Sequence, residues 1–115
     1  QRAFLRSVLM HDAAEAYIGD YPYAVKQVIP GVKALEAEIE EVLAKKFELL
    51  TGPGTKDAIK EFDRRIVLNE RNALLESDWM WVADAYEPLD VNIRCWSPSE
   101  AKRRFMDLYD QVKPN

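Results

Sequence analysis

Between residues 32 and 50 the apolar side chains Val32, Leu35, Ile39, Val42, Leu43, Phe47 and Leu50 recur at three- and four-residue intervals. That is the repeat of an α-helix with one face turned to a core. Glu36, Glu38, Glu40, Glu41, Lys45 and Lys46 fall largely outside the stripe. The acidic first half and basic second half complement the helix dipole, so this charge run reads as a solvated face. The same period predicts a helix over residues 2–18 and another over residues 56–77, the latter with Ile59, Phe62, Ile66, Ala73 and Leu74 inside. Residues 26–30 suit a short helical turn. Thr51, Gly52, Pro53, Gly54 and Thr55 break the pattern, and the two glycines follow no strand, so an interhelix turn is expected and not a phosphate-cradling loop. Ser97, Pro98 and Glu100 form a helix start with a capping box, and the helix after it should bury Ala101, Phe105, Leu108 and Val112 and stop before Pro114. No alternating run argues for a sheet and no repeat appears, so the expected fold class is all-α.

At 115 residues and 48% hydrophobic content, the chain is read as one globular domain over residues 1–115. Its 20 acidic and 16 basic residues leave a formal charge of -4, which gives no broad footprint for duplex nucleic acid. A small anion held by a few cations or a metal stays open. Cys95 has no second cysteine to pair with and no ligand neighbours at metal spacing, so it is read as a reduced structural thiol of a cytoplasmic protein. No apolar run is long enough to span a bilayer, and no signal pattern opens the chain. The chain begins at Gln1 already in helical register, which leads to the expectation that the original N-terminus lies upstream.

Chemistry concentrates in residues 11–26, which hold the one histidine. On a helix, Leu5, Leu9, Asp12 and Ala16 form one stripe, and Phe4, Val8, His11 and Glu15 form the stripe beside it. Asp12 is therefore expected in an apolar seam, where an ionised carboxylate requires a cation or several donors. The adjacent imidazole suggests a metal. A single histidine often has no catalytic role, but Glu15 lies one turn beyond both residues and brings a third polar group to the same point. Gly19 fits a helix-ending position, with Asp20 and Pro22 in the loop after it. Asp63 and Glu70 fall in or beside the inner stripe of the third helix. The economical expectation is that Asp63 and Asp12, 51 positions apart, approach one shared cation. Residues 78–88 carry two of the three tryptophans, either as core and interface packing, which is favoured, or as an aromatic wall for a nucleobase.

His11-Asp12-Ala13-Ala14-Glu15, followed by Gly19-Asp20-Tyr21-Pro22 and Lys26, and then by Asp63 within Phe62-Asp63-Arg64-Arg65, resembles the HD-domain phosphohydrolase superfamily. The likeness is to its 5′-deoxynucleotidase-like branch and phage-encoded relatives. Asn69-Glu70-Arg71 and the last helix start also look familial, so the resemblance covers most of the chain. It implies an HD-domain-like helical bundle with His11, Asp12 and Asp63 as metal ligands. It further implies Glu15 acting on the attacking water and Asp20 assisting near the substrate. The family draws a further histidine from an upstream helix, and this sequence has no second histidine. The expectation is a bundle lacking its N-terminal helices in this chain, which alone binds metal weakly.

The activity implied is metal-dependent hydrolysis of a nucleoside 5′-monophosphate to nucleoside and phosphate. One divalent ion is expected, with manganese, cobalt, magnesium, iron and zinc not distinguishable from the ligand types. Lys26 could meet the phosphate or be an ordinary surface lysine. The partner is thus a small phosphomonoester, with no duplex nucleic acid and no membrane, and a homodimer is left open. The competing expectation is a catalytically degenerate helical module that binds a nucleotide or a protein.

Overall fold

Proline and glycine set most of the helix boundaries. The computed structural model describes residues 1–75 and 85–115, with helices α1 (Arg2–Leu9), α2 (Glu15–Ile18), α3 (Tyr23–Val28), α4 (Pro30–Phe47), α5 (Pro53–Leu74) and α6 (Pro98–Val112). Pro30, Pro53 and Pro98 each open a helix, where the missing N–H costs nothing. Ile29 is held extended before Pro30, as a residue preceding proline prefers. Ser97 caps α6, its Oγ accepting the Glu100 N–H at 3.3 Å. The described residues contain no strand, so the chain is all-α. None of these helices is long and apolar enough to cross a membrane.

The chain groups into two compact units, one of Gln1–Thr51 with Arg103–Asn115 and one of Gly52–Lys102. In the first, α1 gathers the ends of α4 and α6. Helix C-termini leave carbonyls unpaired, and cations satisfy them well. Arg6 donates from Nη1 to the Val112 carbonyl at 2.8 Å and from Nη2 to the Glu48 carbonyl at 2.6 Å. Arg2 donates to the Gln111 carbonyl through Nε at 3.0 Å and Nη2 at 2.7 Å. Ser7, buried like Arg6, accepts the Leu50 N–H at 2.7 Å. Glu48 takes a left-handed conformation, φ 50°, and Leu49 N–H returns to the Ala44 carbonyl at 2.9 Å, which ends α4 at Phe47. Phe47 meets Tyr109 of α6 edge to face, with ring centroids 6.0 Å apart.

In the second unit, α5 carries a row of side chains that hold the irregular segment after residue 85. Arg64 donates to the Tyr86 hydroxyl at 2.8 Å, and Arg65 to the Glu87 carbonyl at 2.9 Å. Asn69 accepts the Leu89 N–H at 2.9 Å and donates to the carbonyls of Leu89 at 2.8 Å and Val91 at 3.0 Å. The amide thereby pairs with backbone as a neighbouring strand would.

Several expectations are corrected. The helix expected over residues 2–18 divides at Leu9, because the His11 ring hydrogen-bonds the Val8 carbonyl at 2.9 Å. The backbone then tightens to three-residue spacing, with Ala13 N–H to Met10 and Glu15 N–H to Asp12. In α4 the covered face runs through Val32, Glu36, Ile39, Leu43 and Phe47, while Leu35, Val42 and Leu50 are exposed. The covered set keeps three- and four-residue spacing and the exposed set spacings of seven and eight, both of which fit a helical repeat, so periodicity alone does not separate them. On α5, Leu68 is buried while Phe62, Ala73 and Leu74 are exposed, and so are Asp63 and Glu70. On α6 only Val112 of the expected stripe is buried. Trp79 and Trp81, and the end of the expected third helix past Leu75, lie outside the described residues.

Candidate functional site

The turns that follow α1 place His11 and Asp12 side by side. His11 Nδ1 lies 2.9 Å from the Val8 carbonyl, which can only accept, so the proton there belongs to Nδ1. His11 Nε2 stands 2.9 Å from Asp12 Oδ2. Two donors bound to one divalent ion at about 2.1 Å and at right angles lie about 3 Å apart, so this pair fits two adjacent positions on one ion. Asp12 is not in an apolar seam. Its side chain is 61% exposed, because the tightened turn swings it away from the Leu5 and Leu9 stripe. Among the described residues no group of three or more His, Cys, Asp or Glu side chains stands at metal-binding spacing. Asp63 is an exposed residue of α5 in the second unit.

His11 and Asp12 also line a cavity of about 440 Å³ in the first unit. Leu9, Met10, Tyr17, Leu43, Phe47 and Phe105 supply most of its wall, so it is apolar with a polar corner. Its size lies in the range of small-molecule sites.

Glu15 opens α2, and Gly19 ends that helix with φ 83°, a conformation that side chains disfavour. The Gly19 N–H bonds the Glu15 carbonyl at 2.8 Å, so the chain turns back and brings Asp20 near the Glu15 carboxylate. Burial raises the Glu15 carboxyl above its ordinary value, Asp12, Asp20 and Glu36 push it further up, and Lys26 opposes them. Lys26 Nζ lies 3.9 Å from Glu15 Oε1 and 2.7 Å from Glu36 Oε1. Its hydrogen bond to Glu36 raises the ammonium above its ordinary value, partly offset by burial, with Glu15 and Asp20 adding to the rise.

The structure therefore brings Asp12, Glu15, Asp20 and Lys26 into one electrostatic neighbourhood with His11 at its edge. It adds Glu36, which the charge pattern places on the solvated face of its helix. The signal was present: Glu36 lies four residues after Val32 and three before Ile39, in register with the covered face. A carboxylate there needs a partner, as was argued for Asp12, and Lys26 supplies it.

Comparison with known proteins finds one relevant likeness. The chain is 30% identical over 112 residues to a protein of Escherichia coli (strain K12), "Uncharacterized protein YfdR", a match that covers 95% of this chain and 62% of that protein. The chain thus spans less than two thirds of the length of the curated relative it matches. No protein-family profile matches the sequence, and no solved structure does.

Proposed function

We propose that this chain carries the catalytic residues of an HD-domain-type, metal-dependent phosphohydrolase acting on nucleoside 5′-monophosphates. The observation that carries the proposal is the convergence of His11 Nε2 and Asp12 Oδ2 to 2.9 Å at an apolar cavity with Glu15 nearby. His11 and Asp12 would hold the ion, their two donor atoms 2.9 Å apart. One divalent ion of this kind, when bound, makes water more acidic and offsets charge on phosphorus. Nδ1 of His11, anchored on the Val8 carbonyl, fixes the ring so that Nε2 is the ligating nitrogen.

Glu15 accepts the proton of the attacking water. Its carboxyl is held above the ordinary range, so it is a stronger base than an exposed glutamate once ionised. Asp20 adds to that rise, after burial and Asp12, and assists proton movement near the leaving oxygen. Lys26 presents the remaining hydrogens of its ammonium to the phosphate. Tyr17, Phe47 and Phe105 give the cavity aromatic surface suited to a nucleobase.

The same aromatic cavity supports a second reading, a helical module that holds a nucleotide without turnover. A panel of nucleoside 5′-monophosphates assayed with the natural full-length protein, metal by metal, separates the two. Metal-dependent phosphate release is expected, and nucleotide binding without release selects the second reading.

A further inference from the structure

Two carboxylates, from α2 and α4, flank one ammonium of α3, and their distances are unequal. Lys26 of α3 makes a hydrogen bond to Glu36 of α4 at 2.7 Å but stops 3.9 Å from Glu15 of α2, beyond hydrogen-bond reach. All three side chains are largely covered, with exposures of 21% for Lys26, 17% for Glu36 and 27% for Glu15. Helices α3 and α4 pack on each other, so the Lys26 and Glu36 pair is fixed by backbone contacts in which Glu15 has no part. An ammonium placed between two carboxylates settles on the one whose geometry is better, and here that is Glu36.

We infer that Glu36 is a positioning residue that keeps the Lys26 ammonium out of hydrogen-bond contact with Glu15. Without it, nothing on α4 restrains the ammonium, and the remaining gap to Glu15 closes by side-chain rotation alone. A contact pair of that kind would occupy the Glu15 carboxylate and withdraw Lys26 from any anion in the site. Glu36 therefore keeps the Glu15 carboxylate out of a contact pair although Lys26 is its neighbour. The catalytic consequence, which concerns Glu15 alone, rests on the role proposed for Glu15, whereas the charge geometry does not.

The groups acting on Glu15 are Asp12 of the preceding turn, Asp20 after Gly19, Lys26 of α3 and Glu36 of α4. Removing Glu36 lowers the Glu15 titration through its lost charge whether or not Lys26 moves, so a single variant cannot reveal positioning. A double-mutant cycle does. In metal-free protein, carboxyl-carbon NMR would follow the Glu15 midpoint in wild type, Lys26→Met, Glu36→Gln and the double variant. If Glu36 restrains the ammonium, Lys26→Met raises the Glu15 midpoint at least about twice as far in the Glu36→Gln background as in wild type, a coupling of neighbouring charges. An equal or smaller rise overturns the inference. Should Glu36→Gln fail to fold, Glu36→Asp, one methylene shorter, takes its place, with the same direction expected and the same equality contradicting. The readout is a titration, so a failure of the proposed hydrolysis leaves this result standing.

Discussion

Arg6 and Val112 are 106 positions apart, yet the Arg6 guanidinium donates to the Val112 carbonyl at 2.8 Å. The same guanidinium reaches the Glu48 carbonyl, so one side chain of α1 holds the ends of α4 and α6. Arg6 is only 5% exposed, and its Nε meets no partner among the described residues. A buried cation held by carbonyls is costly to lose, because both acceptors are then left unpaired. Arg6→Met is expected to cost about 3 kcal/mol, and Arg2→Met, at an exposed position, about 1 kcal/mol or less. Urea unfolding of the two variants measures this, and equal losses would remove Arg6 from its central place.

A second expectation concerns acid. The folded-state pKa of Glu15 is raised above 4.5, so the folded chain holds this proton more tightly than the unfolded chain. Stability from this group is full below 4.5 and is lost as pH rises through the raised value. Glu15→Gln removes that loss. The variant should gain stability relative to wild type as pH increases from below 4.5 toward neutrality, as followed by thermal unfolding. A difference independent of pH would mean that Glu15 is not held in its raised state.

Lys26 moves in the alkaline range. Its folded-state pKa lies above 10.5, so its contribution is full below 10.5 and is lost as pH rises through the raised value. Lys26→Met should flatten the alkaline decline in stability, whereas an unchanged decline would show that the Glu36 contact does not hold in solution.

Asn69 offers a local test in the second unit. Its side chain accepts the Leu89 N–H and donates to two carbonyls, so Asn69→Ala should speed hydrogen exchange at the Leu89 amide by an order of magnitude or more, as for a lost hydrogen bond of about 1 to 2 kcal/mol. Unaltered exchange at Leu89 would assign the protection to other contacts.

Helix existence was legible in the sequence where punctuation was strong. The Ser97 cap and the Gly19 exit stand where local chemistry demands them, whereas α5 opens at Pro53, inside the stretch expected to be an interhelix turn. Helix faces were less legible, since Leu35 and Glu36 both fit the α4 period and only the Lys26 contact decides between them. The division of the first helix depends on the His11 ring taking the Val8 carbonyl, a side-chain event that apolar spacing does not encode. The same event undid the argument for a buried Asp12. Its partner His11 is local, 2.9 Å away, and needs no buried seam.

Glu15 gives the most direct test of the proposed enzyme. In the natural full-length protein, metal content and phosphate release from nucleoside 5′-monophosphates are measured together for wild type, Glu15→Ala and His11→Ala. Glu15→Ala is expected to keep its metal while turnover falls by a factor on the order of a hundred or more, the loss typical of a missing acid-base group. His11→Ala is expected to lose both. A Glu15→Ala protein that hydrolyses at the wild-type rate would contradict the account.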